Sequence, residues 1–396
     1  MQLFRSFNSV LGGALLIAGT TIGVGMLALP VATGPSGFIP SVSIYVISWI
    51  FMICTGLLLV EVCLWLPPDT SFITMADRLL GPIGRHIFWV AYLFLFLTVM
   101  IAHVAGGGSI LSDILGWNIP KQLSSIIYVA AIAPIVYLGA HSVDRINKIL
   151  ISGVVLSYFA FVAVSVNQVN FHYLNFSSWS KAWLALPILF TAFTFQIIIP
   201  TLMTYMKRDV PKVRLAIFIG ASIPLVIYLI WEFLILGIVP PDGLSEAARL
   251  GQNAVEPLRL YVKNGSIITI GKAFAFFALT TSFIPLALAF FDFLADGLKM
   301  EKVGMKKAGL VLAIFGIPTI FALIYPNIFL VALGYAGGIS CALLFGLMPP
   351  IMAWVGRYIK RYSTDSCQLP GGKPMLIILM VFAILILMGE VVQQLV

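Results

Sequence analysis

The residues best suited to chemistry lie where a long apolar stretch near the N-terminus is interrupted. Three glycines and two threonines fall within seven residues there: Gly19, Thr20, Thr21, Gly23 and Gly25. Each glycine in a helix interior costs about 1 kcal/mol relative to alanine. If the helix unwinds and a second one begins near Val24, the first N–H groups of the second helix lack internal partners. They carry the positive end of its dipole and can bind a carboxylate without a charged side chain.

The composition places this interruption in a membrane protein. The chain has 396 residues, of which 61% are hydrophobic and 10% charged, and its mean hydropathy is +1.06. Soluble domains carry about 25% charged residues. The net charge of +8 does not indicate a nucleic-acid partner, because the basic residues are spread over short loops between apolar segments. A membrane protein acquires such a charge from its cytoplasmic loops.

Two interpretations of the first interruption compete. Gly19 and Gly23 have the spacing of the small-residue motif by which membrane helices approach each other. The additional Gly25 and the nearby Pro30 favour a real break. Irregular backbone at membrane depth persists only where it is buried in protein or lines a cavity, so a break predicts a site.

Eleven apolar segments are long enough to cross a bilayer, since a spanning helix needs about 20 residues. They cover approximately residues 8–34, 38–66, 83–112, 122–140, 146–168, 182–206, 211–239, 266–298, 307–325, 327–354 and 374–395. We therefore expect an all-α polytopic membrane protein with a single transmembrane domain over residues 1–396. Its parts are a first repeat at 1–170, a second at 180–355 and an additional C-terminal helix at 374–395.

A second interruption supports this division into repeats. The sixth span contains the polar and aromatic run from Thr191 to Gln196, followed by Pro200, which lies 170 residues after Pro30. The first and sixth spans begin the two five-helix halves. Paired interruptions at corresponding positions indicate an inverted-repeat transporter with a binding site at the breaks.

The distribution of Lys and Arg predicts the orientation. With the N-terminus in the cytoplasm, seventeen of the 23 basic side chains fall in cytoplasmic loops and five on the opposite side. Positively charged loops stay inside. An odd number of spans then puts the C-terminus outside the cytoplasm.

The residues at these breaks resemble a known family. The stretch from Gly19 to Pro30 is similar to the first-helix signature of the bacterial tyrosine/tryptophan permeases, the hydroxy/aromatic amino acid permeases of the amino acid/polyamine/organocation superfamily. A more specific match is Thr281-Ser282-Phe283 followed by the segment from Phe291 to Gly297. The run from Phe193 to Pro200 is a weaker match. The eleven spans agree over the whole chain.

The resemblance implies a five-plus-five inverted repeat with broken helices 1 and 6 in the bacterial inner membrane. It also implies symport of an aromatic amino acid, with protons rather than sodium as the driving ion. The substrate carboxylate would meet the backbone of Thr21, Ile22, Gly23 and Val24. The amino group would meet carbonyls near Ala18 and in the broken sixth helix. Val24 and Gln196 depart from what many relatives carry, which leaves the exact ligand open.

Further candidates lie on other spans. His103 could carry protons or bond a phenol, and the glycine-rich run after it would let a large ligand approach. Glu232 is a candidate for proton coupling because a buried carboxyl can stay protonated. We expect Thr281 and Ser282 to face the first break, where oxygen ligands leave sodium possible as the coupling ion. The aromatic and polar residues expected at the substrate are Phe193, Thr194, Phe195, Gln196, Ser282 and Phe283; the ion-coupling candidates are Thr21, His103, Glu232, Thr281 and Ser282.

Three acidic residues receive other interpretations. Glu61 lies near the cytoplasmic end of its span, where a structural role competes with coupling. We expect Asp292 to pair with a basic loop residue, and Glu390 to be solvated near the outer end of the last span.

Other functions fit the sequence less well. A channel needs a repeated pore-lining element, and none is visible. The spans contain no HExxH, no GxSxG and no paired aspartates, so no catalytic residues are expected. The four cysteines form no CxxC pair, so neither a metal nor a cofactor is expected. A transporter of serine, threonine or another neutral amino acid, driven by protons or sodium, remains the alternative.

Overall fold

The computed structural model describes residues 2–68, 70–116, 119–362 and 368–395, with side chains from residue 9 to residue 393. Cys367 therefore lies outside the described residues. The described chain is helical and contains no strand. Its α-helices are α1 (Gln2–Thr21), α2 (Val24–Thr33), α3 (Phe38–Trp65), α4 (Phe72–Leu115), α5 (Lys121–Leu138), α6 (Ala140–Ser165), α7 (Phe171–Leu174), α8 (Trp179–Ala182), α9 (Leu186–Ala192), α10 (Ile199–Tyr205), α11 (Val210–Ile238), α12 (Pro241–Arg249), α13 (Leu258–Tyr261), α14 (Gly265–Gly297), α15 (Gly304–Ile324), α16 (Phe329–Tyr335), α17 (Met348–Trp354) and α18 (Gly372–Leu395).

Within the described residues, these helices form eleven apolar spans if the first, broken pair is counted as one. That pair, α1 and α2, bends by 59° at its break. The sixth span is interrupted between α9 and α10, and the tenth is π-helical from Ala336 to Leu347. The predicted eleven spans with breaks in the first and sixth are thus confirmed. The proposed repeat boundaries stay a prediction.

The third span is longer than its apolar segment. The helix α4 begins at Phe72 and kinks at Gly81, where φ is +77° and Pro82 follows. A left-handed φ is easily adopted only by glycine. The kink therefore separates the first two turns of α4 from the apolar segment that begins near residue 83, and the basic loops predict that these turns are cytoplasmic.

The spans assemble into two groups. In the first, α11 packs along α1 and also contacts α3 and α2, while α9 contacts α2 and α3. In the second, α4, α5, α6, α14 and α15 pack on one another. The tenth span contacts both α9 and α4, and α18 packs along the tenth span. The break between α1 and α2 lies where the first group meets α14 of the second.

The loop after α12 contacts both groups of helices. The N–H of Ala254, in the loop after α12, donates to Leu27 O in α2 over 2.8 Å. Glu256 in the same loop accepts from Ser109 at 2.9 Å and pairs with Lys121 at 3.3 Å. The ring centroid of Trp231 in α11 lies 4.9 Å from that of Phe161 in α6 and 5.0 Å from that of Phe274 in α14. These contacts join the two groups.

The acidic residues in the spans have different surroundings from one another. Glu61 is fully buried and forms a two-bonded ion pair with Arg357 at 2.7 and 2.6 Å, which supports the structural interpretation. Asp292 pairs with Lys302 at 2.7 Å, as expected. The expectation for Glu390 was wrong: its side chain is only 2% exposed. It packs against Gly338 of the tenth span, where the missing side chain makes room for it.

The Glu61–Arg357 pair gives a first prediction. Replacing Arg357 by Gln leaves the carboxylate of Glu61 buried without its partner, and breaking such a pair costs about 3–5 kcal/mol. We expect a clear fall in the melting temperature of the detergent-solubilised protein. The control is Arg85→Gln, because the Arg85–Asp77 pair spans 3.7 Å with side chains 49% and 38% exposed. Exposed pairs contribute about 0–1 kcal/mol. Equal losses in the two variants would contradict a stabilising role for the buried pair.

Candidate functional site at the two broken helices

The break between α1 and α2 frees backbone groups in the middle of the molecule. The last helical bond of α1 runs from Ile22 N to Ala18 O at 2.9 Å, and the first of α2 from Met26 N to Gly23 O at 3.1 Å. In an unbroken helix the N–H groups of residues 23–25 would bond to the carbonyls of residues 19–21. The break therefore releases three N–H groups at the start of α2, as the sequence predicted for a helix beginning near Val24.

The carbonyl side of the break differs in detail from the expectation. The Ala18 carbonyl already accepts from Ile22 N, so the freed carbonyls are the next ones, those of Gly19 and Thr20. Both residues are exposed on one face of α1. The Thr20 hydroxyl donates to Leu16 O at 2.8 Å and the Thr21 hydroxyl to Ile17 O at 2.8 Å. The backbone, rather than the threonine side chains, is what α1 presents at the break.

The glycines at the break have separate roles. A Cβ on Gly23 would lie 2.9 Å from Ser282 Cβ and 3.1 Å from its Oγ. A Cβ on Gly25 would lie 2.7 Å from the Cα of Ala192 in α9. A Cβ on Gly19 would meet no atom within 4 Å. Gly19 and Gly23 therefore do not share one packing interface, and the GxxxG interpretation does not describe this helix.

His103 lies next to Ser282, the neighbour of Gly23. Its Nε2 is 2.9 Å from Ser282 Oγ and its Nδ1 is 2.7 Å from Val99 O. A carbonyl can only accept, so Nδ1 carries a hydrogen and donates. In the neutral ring Nε2 must then accept from the Ser282 hydroxyl.

The Ser282 hydroxyl has a second option. Its Oγ is also 2.9 Å from Ala278 O, in the preceding turn of α14. If Nε2 of His103 gains a proton and donates, Ser282 Oγ can accept while its own hydrogen turns to Ala278 O. Rotation of one hydroxyl therefore satisfies the hydrogen bonds of both the neutral and the protonated imidazole.

A stack of three rings fixes the imidazole plane. Phe283 lies parallel to His103, with 5.3 Å between centroids, and parallel to Tyr128 on its other side, at 5.5 Å. Phe283 is fully buried between these two rings and does not reach the surface at the break. The structure thus places Phe283 behind His103 as its support.

The glycine-rich run after His103 is filled by protein, contrary to the expectation. A Cβ on Gly107 would lie 2.1 Å from the Tyr128 ring, and one on Gly108 would lie 1.9 Å from Ser125 Oγ. These glycines let α5 approach α4 closely. They leave no space for a ligand.

Thr281 and Ser282 do not face the same way. The Thr281 hydroxyl donates to Asn147 Oδ1 in α6 at 2.7 Å. Successive helix residues point about 100° apart, so only Ser282 reaches Gly23. The expectation that both hydroxyls face the break was wrong for Thr281.

The sixth-span residues mostly face their own group of helices. Gln196 is fully buried; its amide nitrogen donates to Thr55 Oγ1 at 3.0 Å and its oxygen accepts from Phe195 N at 3.0 Å. Phe193 packs edge-on against Tyr45 and Tyr228. Gln196 and Phe193 thus anchor the break to α3 and α11, and their expected contact with a substrate stays a prediction.

Thr194 also keeps its hydroxyl within the sixth span, since it donates to Phe190 O at 2.6 Å. The side chain is partly exposed, unlike the fully buried Gln196. Its contact with a substrate likewise stays a prediction.

Two residues of α11, one turn apart, hold the ends of the broken helices. The Tyr228 hydroxyl bonds to Thr21 O at 2.8 Å and Ala192 O at 3.0 Å, the last residues of α1 and α9. Glu232 accepts from Thr33, the last residue of α2, and from Tyr45 OH at 2.7 Å. Glu232 is therefore bonded to a network of hydroxyls away from His103 and Ser282.

The sequence analysis missed Tyr228. It lies in an apolar stretch of the seventh span with no polar neighbour within three residues before it. The one sequence feature that points to a role for Tyr228 is its position four residues before Glu232, on the same helix face.

The geometry defines the class of protein: a secondary transporter with a five-plus-five inverted repeat and breaks in the first and sixth spans. Two solved structures share this fold. The crystal structure of MhsT in complex with L-phenylalanine superposes with a TM-score of 0.65 at 15% identity, covering 96% of this chain and 98% of that one. The structure of a mutant Eremococcus coleocola manganese transporter gives a TM-score of 0.62 at 14% identity, covering 96% of this chain and 85% of that one.

The chain belongs to the tryptophan/tyrosine permease family, whose model matches residues 6–390. It is 31% identical to the tyrosine-specific transport system 1 of Haemophilus influenzae, over 96% of each chain. It is 29% identical to the tryptophan-specific transport protein of Pseudomonas aeruginosa, over 95% of this chain and 93% of that one. The chain is therefore a multi-pass membrane protein of a bacterial permease family, and the resemblance seen in the sequence is confirmed.

The contact between Gly23 and Ser282 gives a second prediction. Gly23→Ala places a methyl group against Ser282 Cβ, and such overpacking costs about 1–3 kcal/mol. We expect weaker binding of radiolabelled tyrosine and tryptophan by the purified, folded protein. Gly316→Ala, in open space on α15, is the control and leaves binding unchanged.

A second substitution tests the cause. Gly23→Ala combined with Ser282→Gly removes the opposing Cβ and should restore binding, whereas Gly23→Ala combined with Ser282→Ala should not. Equal affinity in both double variants would show that the contact with Ser282 does not limit binding.

Proposed function

We propose that this protein imports aromatic amino acids into the bacterial cell across the inner membrane by proton symport and alternating access. The observation that carries the proposal is the contact of His103, Ser282 and Gly23 at the break between α1 and α2. It puts a side chain that can take up a proton beside backbone N–H groups that can take up a carboxylate. The printed descriptions of the family and of its relatives support tryptophan and tyrosine as the substrate class.

The substrate carboxylate binds at the start of α2. The N–H groups of Gly23, Val24 and Gly25 precede the first bond of that helix and carry the positive end of its dipole. The amino group binds the carbonyls of Gly19 and Thr20 on the other side of the break. The two ends of the break thus match the two charges of an amino acid.

The proton binds at Nε2 of His103. Burying an imidazolium alone is costly, because the surroundings of the ring are apolar. The carboxylate of a substrate at Gly23 lies next to Ser282 and attracts this charge. Proton and substrate therefore stabilise each other in the site, which is the requirement for symport.

We propose that the described conformation is inward-facing. Ala254, Glu256 and the Trp231 cluster close the end predicted to be extracytoplasmic. The face of α1 with Leu15, Leu16, Gly19 and Thr20 is exposed, and we place the opening to the cytoplasm on this face. We place the N-terminus in the cytoplasm and the C-terminus outside, as the basic loops indicate.

The test is uptake into proteoliposomes under separate proton and sodium gradients. A potential of about 100 mV supplies about 2.3 kcal/mol per charge, enough for roughly fiftyfold accumulation. We expect accumulation of tyrosine or tryptophan with the proton gradient alone. Uptake that follows only sodium would exclude proton coupling, and stronger competition by serine than by tyrosine, tryptophan and phenylalanine would exclude the substrate class.

His103→Gln tests the proton carrier. Glutamine can bond to Ser282 but cannot take up a proton, so we expect the variant to exchange substrate across the membrane and to lose accumulation driven by the proton gradient. His86→Gln is the control, since His86 is exposed at the start of the third span. Full proton-driven accumulation by His103→Gln would assign the proton to another group.

A further inference from the structure

Two helices of the first group end at the same hydroxyl group. The carbonyl of Thr21 at the end of α1 and that of Ala192 at the end of α9 lie 2.8 and 3.0 Å from the oxygen of Tyr228. Tyr228 is fully buried. Its ring packs edge-on against Phe193 at 5.3 Å, in the interruption of the sixth span.

Helix ends of this kind attract positive charge. The carbonyl end of a helix carries about half a negative elementary charge, and two such ends meet here. Unwound carbonyls and half-helix ends inside transporters coordinate cations in general. A hydroxyl group has one hydrogen, so Tyr228 can donate fully to only one of the two carbonyls at a time.

The neighbouring threonine hydroxyls are bonded within their own spans. Around the two carbonyls, the Thr21 hydroxyl donates to Ile17 O and the Thr194 hydroxyl to Phe190 O. A sodium ion prefers several oxygen ligands. The position between the two helix ends supplies two carbonyl oxygens, and the buried side chain of Tyr228 occupies the space between them.

We propose that Tyr228 determines the coupling-ion specificity of this transporter by taking the place of a metal cation between the two half-helix ends. The neutral hydroxyl lies within hydrogen-bond distance of both helix ends, so these helices need no sodium ion to be held together. Removing the ring would open a position that a sodium ion can occupy. The inference rests on the proposed transport function.

The experiment uses Tyr228→Asn, whose shorter side chain supplies one oxygen and vacates the space of the ring. Uptake into proteoliposomes is measured at a fixed proton gradient, with sodium chloride or choline chloride on both sides. We expect the wild type to transport equally in both salts. A cation at about ten times its dissociation constant favours the bound form about tenfold, so uptake by Tyr228→Asn should rise about tenfold with sodium.

Tyr158→Phe is the matched control. Tyr158 also bonds through its hydroxyl to a carbonyl of α11, Ile227 O at 3.1 Å, away from the two helix ends. It should transport like the wild type in either salt. Its indifference to sodium shows that loss of one tyrosine hydroxyl bonded to this helix does not by itself create sodium dependence.

Each outcome bears on the proposal. Wild-type uptake that is stimulated by sodium would overturn it, as would a Tyr228→Asn protein that binds substrate and ignores sodium. If Tyr228→Asn does not fold, Tyr228→Phe decides: it should weaken substrate binding while Tyr158→Phe does not, and unchanged binding would overturn the proposal. Failure of the wild type to accumulate substrate in choline at this proton gradient would instead refute the proposed proton symport.

Discussion

Backbone hydrogen bonding in an apolar interior is the constraint on which the rest of this structure depends. The break between α1 and α2 releases N–H and carbonyl groups that the helix no longer satisfies and that lipid cannot satisfy at that depth. Side chains from other helices bond to some of these groups, and Tyr228 donates to the carbonyl at the end of α1. The N–H groups at the start of α2 are left for a ligand. This is the physical basis of the proposal that the main chain, rather than a charged side chain, binds the substrate.

The hydrogen bonds divide unevenly between the two groups of helices. Within the first group, Gln196, Tyr228 and Glu232 bond the broken helices to α3 and α11. Between the groups, the break meets α14 through the van der Waals contact of Gly23 with Ser282. Apolar contacts of small residues separate at lower cost than buried hydrogen bonds, because no polar group is left unpaired. At the break, the two groups can therefore separate without leaving a buried polar group unpaired.

Two buried titratable side chains, Glu61 and His103, have different kinds of partner. The carboxylate of Glu61 is neutralised by a two-bonded arginine far along the chain, which holds the second span against the tenth. His103 instead has a carbonyl and a hydroxyl as its partners. Removing the partner of a permanently paired charge is costly, so such a pair stays as it is. A titratable group with a reorienting hydroxyl as its partner can change its protonation without disrupting its surroundings.

The sequence by itself determined the class of this protein, because composition, span length and clustered helix-breaking residues act locally. Eleven spans, breaks in the first and sixth, and a second helix beginning at Val24 follow from those properties. The tertiary structure decided which side chains meet. Ser282 reaches Gly23 while Thr281 turns to Asn147; Gly107 and Gly108 admit α5 rather than a ligand; Glu390 is buried; and Tyr228 joins two helix ends. Helices that are apolar on all sides give no periodic signal for the face that turns inward. Their rotation about the helix axis is set by close packing with distant segments, and only the assembled bundle contains that information.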